Sequence, residues 1–289
     1  MRFICALGLC AAACTPSFQS ASQITDLRIL AVQAEPPEAL VDLDAGTVPD
    51  VQLQILVVDP KPHSDGLMQG QLCFPTDTLQ CGTQSLSLPT QQHPVGQPFI
   101  YEVRVPGALL VAALQDDKLK GLGGIRVQST LEVADGDPHG AVKAEKLLLY
   151  NAARAGYVPN HNPAIDGLVL SKGAQPSGSL SPGQPLRVQV GETIGLLPTH
   201  QPDQAESYCT TDLTGKQICL TEQLVYSFFS TEPGDLDADS AYDPLPGTPP
   251  PPDGLVRFTA LAAGTGTLWV VVRDGRGGQS WTSFGWTTN

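Results

Sequence analysis

Positive charge is scarce in this chain of 289 residues: 16 lysines and arginines stand against 29 aspartates and glutamates, a formal net charge of −13. So acidic a balance repels phosphate backbones and anionic headgroups. It excludes nucleic acid as a partner and a basic face as a means of holding a membrane. Long apolar runs are scarce too. The N-terminal run, Phe3–Ala13, is 11 residues, and a helix that crosses a bilayer takes ~20. Catalytic signatures are missing: there is no G-x-S-x-G elbow, P-loop or dinucleotide fingerprint. Gly121-Leu122-Gly123-Gly124 precedes a strand-like segment, so it reads as a helix stop and not as a phosphate cradle. His63, His93, His139, His161 and His200 are scattered beside proline, glycine or asparagine with no metal-binding spacing, as loop histidines are. Neither an enzyme nor a cofactor is implied.

What is present begins at the N-terminus. Arg2, the apolar run and the exit Ala11-Ala12-Ala13-Cys14 have the form of a secretory signal, predicted to span 1–13. A cysteine directly after three alanines predicts lipid attachment at Cys14. Ala11 stands where lipoprotein signals usually carry Leu, Val or Ile, and ordinary secretion with cleavage after an alanine is the competing reading. The alternative lipid site, Cys10, follows Leu9, which is too large for the small-residue cleavage site. Thr15, and not aspartate, comes next, as in lipoproteins sorted to the outer membrane. Residues 14–23 then form a polar tether, and membrane contact is expected through lipid on Cys14.

Of the seven cysteines, Cys5 and Cys10 leave with the leader and Cys14 carries lipid. Cys73, Cys81, Cys209 and Cys219 remain, an even set for an oxidising compartment. Three connectivities exist. The short separations favour the local pairs Cys73–Cys81 and Cys209–Cys219, each pinning a loop or hairpin for roughly 2–3 kcal/mol. A four-ligand zinc site is the alternative, but its usual C-x2-4-C knuckles are not there.

With 29 glycines and 26 prolines, the chain suits short strands joined by many turns. Strand patterns occur at Ile24–Ala34, Val51–Asp59, Gln71–Phe74, Phe99–Val105, Ile125–Ala134 and Ala141–Tyr150. Between them, Pro106–Lys120 predicts a short helix stopped by Gly121, Gly123 and Gly124. Ala153–Pro163 reads as a linker. Strands then follow at Asp166–Ser171, Leu186–Val190, Glu192–Leu197, Leu224–Ser230, Gly254–Leu261, Thr267–Arg273 and Gln279–Trp286, with Gly173–Pro185 a turn-rich loop. Along Thr267–Arg273, Leu268, Val270 and Val272 face one way, and Trp269, Val271 and Arg273 the other. The expected fold is all-β: two immunoglobulin-like β-sandwich domains in tandem, 24–152 with the short helix and 164–289, joined by 153–163.

Four stretches carry a family resemblance. They are Asp26–Val32 with Glu35-Pro36-Pro37-Glu38, Gly121–Val127 (GLGGIRV), Asn162–Leu168 (NPAIDGL) and Val271–Gly278 (VVRDGRGG). Together they resemble a group of functionally uncharacterised, mostly myxobacterial outer-membrane lipoproteins. Val225–Ser230, followed later by the Asp-Gly-x-Gly-Gly hairpin, is similar to bacterial immunoglobulin-like or PKD-like modules. The resemblance implies a tandem immunoglobulin-like lipoprotein of the cell envelope and assigns no catalytic residue.

Two further groups are candidates for ligands. Asp235, Asp237 and Asp239, with Asp243, could wrap Ca²⁺, although Ser240 and Pro246 stand where an EF-hand-like loop needs Gly and Glu; a solvated acidic loop is the simpler reading. Trp269, Trp281 and Trp286 fall in the last hairpin, where an exposed row of rings would stack on sugars; packing within or between domains is the plainer alternative. The leading expectation is a lipid-anchored, non-enzymatic envelope protein with a structural or protein-binding role. A carbohydrate- or surface-binding module is the alternative.

Overall fold

The computed structural model describes residues 20–42, 48–61, 65–75, 81–93, 99–103, 105–116, 123–136, 140–152, 157–211 and 214–289. The signal 1–13, Cys14 and most of the tether 14–23 lie outside them. The protein is all-β, two immunoglobulin-like sandwiches in tandem with one short helix among the described residues.

Among the described residues nine strands precede residue 153: β1 (Gln23–Ile24), β2 (Arg28–Glu35), β3 (Glu38–Val41), β4 (Val51–Val58), β5 (Gly66–Pro75), β6 (Cys81–His93), β7 (Phe99–Val103), then β8 (Ile125–Ala134) and β9 (Val142–Ala152) after the helix. One sheet runs β2-β4-β7, and the facing sheet β3-β9-β8-β5-β6. Val51, Leu53, Ile55 and Val57 of β4 enter the core with Met68, Leu72, Val127, Leu131, Val133, Leu148 and Tyr150. The helix α1 (Gly107–Asp116) starts where Pro106 cannot donate but its carbonyl accepts from Leu109 and Leu110. It buries Leu110 and Ala113 and leaves Val111 exposed.

The second half holds β10 (Gly167–Lys172), β11 (Gln175–Leu180), β12 (Leu186–Val188), β13 (Thr193–Thr199), β14 (Ser207–Thr211), β15 (Gln217–Thr221), β16 (Val225–Thr231), β17 (Gly234–Leu236), β18 (Ser240–Tyr242), β19 (Val256–Ala260), β20 (Thr265–Arg273) and β21 (Gln279–Thr288). One sheet is β11-β10-β13-β19-β17; the other is β1-β16-β20-β21-β12 with β18 beside β16. Leu268, Val270 and Val272 meet Phe228, Phe258, Phe284 and Trp286 in the core. Strands β14 and β15 form a separate two-stranded hairpin.

Several expectations need correction. The turn-rich loop at Gly173–Pro185 contains β11, an edge strand exposed except at Leu180, so it carries no alternating pattern. β3, β6, the hairpin β14–β15, β17 and β18 had no reading as strands. Ile24 begins the strand signal of the first domain, yet Gln23 and Ile24 pair in parallel with Ser230 and Thr231 of β16. The end of the tether and the first strand residue therefore belong to the sheet of the second sandwich. The segment read as a linker is pinned over 157–163. Asn162 donates to the Ala34 carbonyl at 2.8 Å and accepts from the Gln279 amide at 2.9 Å, and the Ser280 hydroxyl donates to the Pro163 carbonyl.

The outer face of the second sandwich is also covered. Trp269 and Val271, opposite in parity to the core residues of β20, pack with Ile24, Leu30, Ala31, Leu56 and Val58, with Phe229 and Trp281 against them. The two sandwiches share this third apolar core.

Candidate functional site

Beside that core, the turn between β20 and β21 builds a charged joint. Its first residue, Asp274, accepts from three successive backbone amides, Arg276 at 2.7 Å, Gly277 at 3.0 Å and Gly278 at 2.9 Å. Asn160 of the pinned segment donates to the other oxygen at 2.8 Å. Such an anion nest needs backbone closeness that a side chain would spoil. A Cβ on Gly278 would lie 1.9 Å from the Asp274 carboxylate and 2.7 Å from the His161 carbonyl.

The turn projects Arg276 toward three carboxylates: Glu222 at 3.0 Å, Glu38 at 3.1 Å and Glu206 at 3.4 Å. Its guanidinium also lies 4.1 Å from the centre of the Tyr208 ring. Glu38 stands on β3 of the first sandwich, where the Asn160 amide donates to it at 2.7 Å and the side chains of Asn151 and Tyr157 donate to its other oxygen. Lys146 of β9 reaches across to the Gly277 carbonyl at 2.5 Å. The side chains of Glu38 and Glu222 are each 1% exposed.

Burial and unequal charge shape the titration here. Burial, reinforced by the Asp274 charge, pushes Glu222 up to about 7, against the pull of Arg276. Burial raises Asp274 as well, although Asn160 and the turn amides oppose it. Lys146 is lowered to about 8, chiefly by burial. These groups are tied to one another, and the arrangement clamps two bodies together.

A cleft of about 550 Å³ opens next to the joint, lined by Arg126, Leu147, Leu149, Tyr157, Tyr208 and Arg276 among others. One wall is the outer face of β8 and β9; the other is the hairpin β14–β15. Gly124 sits at φ +87°, and a Cβ there would meet Leu149 at 2.5 Å. All four stretches that carried the family resemblance reach this junction. Glu38 closes the first, Gly123 and Arg126 come from the second, Asn162 opens the third, and Asp274–Gly278 close the fourth. Sequence reasoning treated them as turns and strands and missed Arg276, Glu38, Glu222, Tyr208 and Asn160 as a group. Glu38 and Arg276 fall within the quoted stretches, whereas Glu222, Tyr208 and Asn160 fall outside them, so no local signal joined the five.

Of the other sequence candidates, Cys209 lines the cleft and the rest lie elsewhere. Cys73–Cys81 and Cys209–Cys219 form the two local disulfides. Disulfides of this kind belong to an extracellular or periplasmic protein. Among the described residues no helix is long and apolar enough to cross a membrane. Of the acidic loop, Asp237 is paired to Arg257 at 2.7 Å, and Asp243 accepts from the Tyr226 hydroxyl at 3.2 Å. Among the described residues no group of three or more His, Cys, Asp or Glu is placed to hold a metal ion. Trp286 is 2% exposed in the second core, Trp269 is 9% exposed in the shared core, and Trp281 packs beside it. The rings are not a solvent-facing row; parity put Trp269 on the outer face, and the first sandwich covers that face.

No family model matches the chain, and no curated protein matches it. Among solved structures, it is similar to a red sea bream transglutaminase at 10% identity and a TM-score of 0.29, covering 92% of this chain and 32% of that one. It is also similar to dimeric latent PorU from Porphyromonas gingivalis at 13% identity and a TM-score of 0.24, covering 91% of this chain and 24% of that one. The chain thus spans a third or less of either neighbour.

Proposed function

We propose that this protein is a lipid-anchored component of the bacterial outer membrane, with a non-enzymatic structural or protein-binding role. The observation that carries this reading is the joint. The charged and polar side chains brought together between the sandwiches are spent on one another, around Arg276, and fasten two bodies into one. A rigid tandem of this kind suits a spacer or docking body held out from a surface. The two disulfides support life outside the cytoplasm, and the run Ala11-Ala12-Ala13-Cys14 supports lipid on Cys14. The buried tryptophans leave the carbohydrate reading without a stacking platform, so it is not carried further.

The test is expression of the full chain in a Gram-negative host fed labelled palmitate, beside Cys14→Ser. The expected result is label on the parent chain in the outer-membrane fraction, and none on the variant. A wild-type chain found unlabelled and soluble would overturn the anchor. Crosslinking in intact cells then tests the docking role: only uncrosslinked monomer would count against it.

A further inference from the structure

We propose that Cys209–Cys219 is a thiol-exchange site: a disulfide accessible to dithiol reductants, whose opening releases the hairpin β14–β15 from the joint and widens the cleft. The two disulfides differ in their surroundings. In the first sandwich Cys73 is 0% exposed and its partner Cys81 half-buried. Cys209 and Cys219 are both exposed and stand directly opposite one another in the hairpin register. Exchange requires a thiolate to reach a sulfur, so access separates the two bonds.

The hairpin depends on this bond more than a sandwich strand would. Its strands are five residues each, no third strand among the described residues pairs with either, and every residue of β15 is exposed. A lone two-stranded hairpin is marginal in water. Its stem is tied to the body through Glu206 and Glu222, where the Glu222 amide donates to the Glu206 carbonyl at 2.9 Å. Beyond the stem, Tyr208 covers Arg276, and Cys209 and Thr210 line the cleft. Breaking the crosslink frees this wall while Glu222, buried at the base, stays.

The chemistry balances with one dithiol. Its thiolate attacks a sulfur of the pair, forming a mixed disulfide and expelling the other cysteine as a thiolate, which takes up a proton. The second thiol of the donor then attacks the mixed disulfide, closing its own disulfide and releasing the remaining cysteine as a thiol. Two electrons and two protons pass to the protein, and the dithiol is oxidised.

Graded dithiothreitol on the folded protein, with alkylation and peptide mass spectrometry, tests access; hydrogen exchange tests release. Cys209 and Cys219 are expected to label at least tenfold faster than Cys73 and Cys81. Amide protection is expected to fall over residues 207–221 and 274–278 but to persist in both sandwiches. The double variant Cys209→Ser, Cys219→Ser is expected to show that exchange pattern without reductant. Equal labelling of both pairs, or labelling only on global unfolding, would overturn the proposal. So would a reduced protein or double variant that exchanges like the oxidised parent.

Discussion

Arg276 is ringed by more negative charge than it can neutralise: Glu38, Glu206 and Glu222 contact it, and Asp274 lies two residues before it. Removing the cation leaves two buried carboxylates unpaired, so Arg276→Met is expected to cost about 3–5 kcal/mol, read as a lower urea midpoint. The excess charge also gives a pH signature. Glu222 holds its proton up to about 7 in the folded protein, against 4.5 in the open chain. Between those values the folded state binds more protons, so this group makes stability fall as pH rises from 4.5 to 7. Glu222→Gln is expected to flatten that slope in urea titrations across the window. Lys146 acts in the opposite sense: its value of about 8, below the usual 10.5, makes stability rise with pH between the two. None of these partnerships was legible in the sequence. Periodicity reports which face a residue occupies, and the partners of Arg276 come from three separate segments whose meeting no local pattern encodes.

At the scale of elements, longer strands with one buried face were legible, whereas exposed strands and the short buried β3 and β17 were not. β20 alternates as read, because its inner residues fill the second core. β11 and β15 show almost no burial, and with no burial there is no alternation to read. The parity of Trp269 was legible, but its surroundings were not, since the surface covering it comes from β1, β2 and β4. The turn after β20 was visible through its glycines, though its role in shaping an anion nest was not. Gly278→Ala forces a Cβ to within 1.9 Å of the Asp274 carboxylate. Moving that carboxylate displaces Arg276 with it, so a loss of about 1–3 kcal/mol is expected by chemical denaturation, with raised hydrogen exchange over 274–278.

At the scale of the whole molecule, two sandwiches were legible from turn spacing, and their fusion was not. The sequence marks 153–163 as a linker because proline and asparagine are common in linkers. In the structure residues 157–163 of it satisfy buried polar groups: Asn160 bonds Glu38 through its amide and Asp274 through its side chain. The shared core around Trp269, the parallel pairing of β1 with β16 and the Arg276 joint all cross the boundary. Trp269→Ala empties the centre of that core and is expected to cost about 3–5 kcal/mol, with the two halves melting apart. Scanning calorimetry of the intact, disulfide-bonded protein tests this fusion most directly. One transition is expected, with calorimetric and van't Hoff enthalpies equal. Two separable transitions in the parent protein would contradict it, since each sandwich would then be folding on its own.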